Sequence, residues 1–149
     1  MRLTSKSEYG LVAMIDIAAA GDERPVSVRE ISERRGIPRK FLEQIFHSLR
    51  QAGLVDSRRG PRGGFSLSRS PREISVLDVI EAVEGPLKAT VCVVANGHEK
   101  GCELHGVCAA ASVWTRATEA MRSEFASVTL DALGSDQRGM DAIRFARTA

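Results

Sequence analysis

Four segments in the first 85 residues repeat apolar side chains at helical spacing, and each is closed by a glycine. The first opens near Thr4 or Ser5, where Ser5-Lys-Ser-Glu8 has the form of a capping box. It runs through Tyr9, Val12, Ala13 and Asp16 to Gly21. The second is capped by Ser27-Val-Arg-Glu30, covers Val28 to Arg35 with Ile31 turned inward, and ends at Gly36, a natural left-handed terminator. Pro38 opens the third at its first turn, where its missing N–H costs nothing. From there to Ala52, Phe41, Leu42, Ile45 and Leu49 fall on one face, and Arg39, Lys40, Glu43, Gln44, His47 and Gln51 occupy the other. One side packs, and the other is left to read a surface.

After Gly53 the period changes from helical to alternating. Leu54-Val-Asp-Ser-Arg58 and Phe65-Ser-Leu-Ser68 predict two strands across the loop Arg59-Gly-Pro-Arg-Gly-Gly64. A helix, a short turn, a second helix and a Gly/Arg-tipped hairpin make a winged helix-turn-helix. Its helix suits the major groove of DNA, and its wing arginines suit phosphates or the narrow minor groove. A further capping box, Ser75-Val-Leu-Asp78, starts the fourth helix, which ends at Gly85-Pro86. A long last helix is expected from about Gly106 to Leu133. Val107, Ala110, Trp114, Ala117 and Met121 form a 3-4-3-4 seam there, favouring pairing with a second copy over packing on its own domain alone.

The expected fold is therefore mainly α. A winged helix-turn-helix domain with a small β-hairpin spans 1–85, a cysteine-bearing loop 86–106, a dimerisation helix 107–133 and a C-terminal tail 134–149. A chain of 149 residues buries a real core. Its net charge is only +2, yet residues 24–72 carry +8 and the remainder −6. Such a segment is either a solvated face or the footprint of a polyphosphate binder. The helix pair and wing favour double-stranded DNA. No stretch approaches the roughly 20 apolar residues that span a bilayer, and the opening residues lack the pattern of a secretory signal. A reducing cytoplasm is the expected compartment.

That compartment bears on the cysteines. All three, Cys92, Cys102 and Cys108, fall in one polar stretch rich in Gly, Asn, Glu and Lys. Scattered cysteines read as small core hydrophobes, but a cluster of three thiols among polar residues points to a metal or a metal cluster. Structural zinc with His105 completing a Cys₃His set, and metal-free thiols, stay open as alternatives; His98 reads as a solvated loop residue.

Four ordered motifs carry a family resemblance over roughly residues 1–133: Met1-Arg-Leu-Thr-Ser-Lys-Ser-Glu-Tyr-Gly10, Gly36-Ile-Pro-Arg-Lys-Phe-Leu-Glu-Gln-Ile-Phe46, Ser57-Arg-Arg-Gly-Pro-Arg-Gly-Gly-Phe65 and Ile74-Ser-Val-Leu-Asp-Val-Ile-Glu-Ala-Val-Glu-Gly85. Through them the chain resembles the IscR/NsrR/RirA group of bacterial winged-helix iron–sulfur transcriptional regulators. The resemblance implies a cytoplasmic homodimer on promoter DNA, with the third helix in the major groove and the wing in the flanking minor groove. Glu43 and Gln44 match the base-reading pair and Arg59 the wing arginine, with Arg39, Lys40, Arg58 and Arg62 beside them. Lys40 departs from the small hydroxyl residue often found there.

The resemblance also implies one iron–sulfur cluster per subunit, [2Fe–2S] or [4Fe–4S], held by Cys92, Cys102 and Cys108. The nine residues between Cys92 and Cys102 exceed the usual family spacing, and Ala111 stands where some members place a ligand histidine. The fourth ligand is left open. Glu8 matches an acidic position from which some members supply a carboxylate to the partner subunit's cluster, and it is equally the capping-box acid of Ser5. His105 is the other candidate.

The expected function is transcriptional control through the state of that cluster. A zinc-stabilised winged-helix interaction module is the alternative. An electron carrier leaves the +8 segment and the recognition helix without a role. No paired carboxylates, nucleophile elbow, phosphate-binding glycine loop or Ser-His-Asp set argues for an enzyme.

Overall fold

A computed structural model describes residues 3–21, 24–90, 93–94, 97–98 and 108–136. Helices α1 (Ser5–Ala20), α2 (Val28–Arg35) and α3 (Arg39–Gln51) lead into the hairpin β1 (Val55–Arg58) and β2 (Gly64–Leu67). A 3₁₀ turn (Pro71–Glu73), α4 (Val76–Glu84), the two-residue strands β3 (Val93–Val94) and β4 (Gly97–His98), and α5 (Ala111–Ser127) follow. A further helical segment covers 130–136. This is a mainly helical winged-helix fold.

The capping boxes of Ser27 with Glu30 and of Ser75 with Asp78 both form in full. Gly36 ends α2 in the left-handed conformation (φ 68°, ψ 23°) that the turn into α3 requires. Pro38 sits one residue earlier than expected, as the cap of α3. At α1 the expected capping box is replaced. Thr4 is the cap, its hydroxyl accepting from the Lys6 N–H at 3.1 Å, so Ser5 is already helical and Glu8 has no capping role.

The main core is built by α1, α3 and α4 around Met14, Ile17, Ile45, Phe46 and Leu49, each at most 2% exposed. Ile31 from α2 and Val55 from the wing close its sides. Phe65 fixes the hairpin to this core by stacking on Phe46 at 4.3 Å between ring centres. A smaller cluster, centred on Val76, Ile80 and Leu87, takes Met121 and Phe125 of α5. α4 thus serves both clusters, with Val79 and Val83 on one side and Val76 and Ile80 on the other.

The long last helix is shorter than its period suggests. α5 starts at Ala111, and the backbone leaves the helix at Val128 (φ −100°, ψ 123°). There the chain makes a β-bridge from Thr129 to Ser75. The Val76 N–H donates to the Val128 carbonyl and the Leu130 N–H to the Ile74 carbonyl, both at 2.9 Å. The break lets Leu130 reach the main core, where it is fully buried. Two β-branched residues and a buried leucine therefore override the helical period.

Candidate nucleic-acid interface and cysteine loop

The two faces of α3 separate as its sequence predicts. Leu42, Ile45, Phe46 and Leu49 are buried, while Arg39, Lys40, Glu43, Gln44 and His47 are exposed. Arg58, Arg59 and Arg62 are exposed on the wing beside them. The wing is anchored at both ends: Val26 and Phe65 exchange backbone hydrogen bonds at 2.8 Å, and Arg50 near the end of α3 donates to the Ser57 hydroxyl at 3.5 Å. A basic rim is thereby held in a fixed relation to the exposed helix face.

Asp16 of α1 is 2% exposed, and two guanidinium groups of α2 meet it. The Arg35 Nε lies 3.1 Å from both its oxygens, Arg35 Nη2 adds a closer contact, and Arg34 Nη1 stands at 3.5 Å. The last turn of α2 carries both arginines, where positive charge also meets the negative end of the helix dipole. This clamp ties the last turn of α2, just before the turn into α3, to α1. In sequence Asp16 is only one more residue on the first helix, so the clamp was missed there. Burial of a lone carboxylate on an otherwise apolar helix face is the signal that finds it.

A second polar joint connects the N-terminus of α1 to the C-terminus of α4. The Glu84 carboxylate accepts from the Thr4 N–H at 3.3 Å, from the Thr4 hydroxyl, and from the Ser7 hydroxyl at 2.6 Å. Burial pushes the Glu84 carboxyl up, but the Ser7 and Thr4 hydrogen bonds outweigh it and hold it below its ordinary value. Gly85 and Pro86 follow immediately and open the connection toward the cysteines.

The described start of that connection is tied to α4 and α5. The Leu87 N–H donates to Glu81 at 2.8 Å, and the same carboxylate pairs with Arg122 of α5. The Ala89 N–H donates to the buried Thr118 hydroxyl at 3.0 Å, and β3, which follows Cys92 in the chain, lies against α5. Cys108 is a free, partly buried thiol three residues before α5 begins, and its carbonyl accepts from the Ala111 N–H at 3.1 Å. Cys92, Cys102 and His105 lie outside the described residues, as do Val107 of the expected seam and the tail from 137 onward. Glu8 is exposed on the first turn of α1; its N–H donates to the Thr4 carbonyl at 3.3 Å, and its carboxylate, among the described residues, makes no hydrogen bond or ion pair.

A helix-turn-helix with a basic wing defines a winged-helix DNA-binding regulator. The Rrf2 family model, described as an iron-dependent transcriptional regulator, matches residues 3–136, and the chain belongs to this family. It is 42% identical over 141 residues to the HTH-type transcriptional regulator IscR of Xenorhabdus nematophila, covering 95% of this chain and 84% of that protein. Among solved structures it is similar to CymR (YrzC), the global cysteine regulator of B. subtilis. That match has a TM-score of 0.73 and 32% identity, and it covers 91% of this chain and 97% of that one. The T. potens IscR structure gives 0.72 and 35%, covering 92% and 88% respectively. These relatives are transcriptional regulators and not enzymes. Among the described residues no helix is long and apolar enough to cross a membrane.

Proposed function

We propose that this regulator binds promoter DNA as a homodimer and that an iron–sulfur cluster in the cysteine loop controls its binding. The observation that carries the cluster reading is the donor set. Three cysteines occur in one polar stretch, Cys108 is free and partly buried beside α5, and the Glu8 carboxylate stands exposed without a partner among the described residues. Soft thiolates with one harder oxygen donor fit iron, so the residues present fit the group. Cys92, Cys102 and Cys108 would hold it, with Glu8 of the second copy, or else His105, as fourth ligand. When bound, the cluster supplies a redox- and ligand-sensitive centre whose loss frees the thiolates. IscR as the name of relatives at about 42% identity supports this reading.

The chain's own residues supply the coupling. Glu8 lies on α1, whose far end carries the Asp16 clamp on α2, so a restraint on the first turn of α1 biases the presentation of α3. Such a bias shifts DNA affinity only if the restrained and free positions differ in their fit to DNA. On α3, Glu43 can accept from cytosine N4 and Gln44 can grip adenine, while Arg39, Lys40, Arg58, Arg59 and Arg62 meet phosphates or the minor groove.

Iron and sulfide counts with Mössbauer spectra of anaerobically isolated protein test the cluster. Brown protein that loses its spectrum in Cys102→Ala is expected, and colourless protein with one zinc per chain would favour the interaction-module reading. Glu43→Ala should relax preference at one base-pair position by about 1–3 kcal/mol. Equal losses on specific and random duplexes would remove Glu43 from base reading.

A further inference from the structure

The wing has an outer face that neither the core nor the recognition helix uses. In the β1–β2 register Phe65 lies across from Ser57 and turns inward onto Phe46. Neighbouring residues on a strand point to opposite faces, so Arg58 turns outward, and its partner across the hairpin is Gly64, which has no side chain to cover it. Glycine is required there. A Cβ on Gly64 would stand 2.5 Å from the Val26 carbonyl oxygen, because the segment before α2 runs against β2 as a third short strand. This pairing brings Arg24, two residues before Val26, to the edge of the same outer face.

Between these parts lies a solvent-open cleft of about 950 Å³, lined among others by Arg24, Arg58, Arg59, Arg62 and Glu30. Among the described residues Glu30 is its one carboxylate, and it is already engaged. It accepts from the Ser27 N–H at 3.0 Å and from Arg24 Nη1 at 2.8 Å. Arg58, Arg59 and Arg62 have no ion pair among the described residues. Arg24 spends one N–H on Glu30, and a guanidinium has five, so its remaining edge stays available for a bidentate grip. Glu30 holds that edge in place, since it is fixed in turn by the cap of α2.

We infer that this cleft seats the sugar–phosphate backbone beside the groove the wing enters, and that Arg24 is a phosphate contact delivered by the α1–α2 connection. The inference rests on the DNA-binding reading of the wing and adds to it a site outside both the wing and the recognition helix. An open, arginine-lined trough suits a strand that passes through it. Forked guanidinium donors match phosphate oxygens in shape and charge. Contacts of this kind position the protein on the duplex and carry no base information.

The test is fluorescence anisotropy of the full chain on a random-sequence duplex across a salt series. Each phosphate neutralised contributes about 0.9 to the slope of log affinity against log salt. Arg24→Ala should therefore reduce the slope by about 0.9 per bound subunit, about 1.8 for the homodimer, so that a fourfold rise in salt weakens the variant about 12-fold less than the wild type. Arg24→Lys keeps the charge and should restore the slope. Arg29→Ala removes the same charge from the exposed side of α2, outside the cleft, and should leave the slope unchanged. An unaltered slope in Arg24→Ala overturns the inference, as does an equal change in Arg29→Ala. A failure of Arg24→Lys to restore the slope overturns it too, because the loss would then come from the tie to Glu30. Wild-type protein without salt-dependent duplex binding would overturn the DNA-binding reading as well.

Discussion

In α3 the apolar stripe packs on its own chain, with Leu42, Ile45, Phe46 and Leu49 at most 1% exposed and Phe41 partly buried against the same core. α5 is four residues longer, yet its stripe is divided. Met121 and Phe125 pack on α4, whereas Val113 and Trp114 stay 56% and 41% exposed. Both helices show an amphipathic period, and among the described residues only that of α3 is satisfied by its own chain. The period of a helix therefore tells which face is apolar and leaves open what covers it.

The largest break in this comparison comes from the satisfied helix. Phe46→Ala removes a fully packed ring and its stacking on Phe65, and should cost about 3–5 kcal/mol in chemical denaturation. Val113→Ala on α5 should stay within about 0.5 kcal/mol in the isolated chain. Equal losses would mean that α5 is as fully packed as α3.

The DNA-binding half also depends on a polar clamp. Asp16→Ala leaves two arginines facing an apolar surface and should cost about 2–3 kcal/mol. This is less than a fully buried pair, because Arg34 and Arg35 are 47% and 25% exposed and keep some water. Denaturant melts measure the loss, and a value near zero would show that α2 is held by Ile31 and its apolar neighbours alone.

On α5, the seam position Met121 packs on its own chain beside Val76 and Ile80, so a charge there would disturb the monomer as well as any pairing. Trp114 separates the two effects. Trp114→Glu should weaken self-association by about 2 kcal/mol or more with little change in monomer stability, as expected of an interface aromatic. Sedimentation at several concentrations checks this, and an undiminished dimer would place the interface elsewhere.

The extent to which the structure was legible in sequence follows the range of the interactions. Local signals told true: both complete capping boxes, the left-handed Gly36 and the 2-residue alternation of the hairpin are set by neighbours within a few positions. The solvent exposure of Arg39, Lys40, Glu43, Gln44 and His47 was legible for the same reason, since the helical period of α3 alone turns them outward. What escaped were contacts between residues distant in sequence. Asp16 meets Arg35 across 19 positions and Leu130 meets Ile74 across 56, and no local pattern announces either. Of the two starts the sequence allows for α1, Thr4 is the cap, and its N–H donates to Glu84, 80 positions away.

That same carboxylate, at the joint between α1 and α4, gives a smaller effect than the clamp or Trp114. Glu84→Gln keeps an acceptor for Thr4 and Ser7 but removes the charge, and because Glu84 is exposed the loss should be only about 0.5–1 kcal/mol at neutral pH. Its carboxyl is held below the ordinary value in the folded chain. The charge-dependent stabilisation is therefore complete above the unfolded value and is lost as pH falls through the folded one. The stability difference between wild type and Glu84→Gln should then be constant near neutrality and vanish on acidification below the ordinary carboxylate range. Hydrogen exchange locates the effect: the Ser7 N–H, which donates to the Thr4 carbonyl at 3.0 Å, should exchange faster in the variant, while amides in the middle of α3 stay unchanged. A pH-independent difference would mean that Glu84 acts only as a neutral acceptor, and the turn bearing Glu8 would then be held by backbone capping alone.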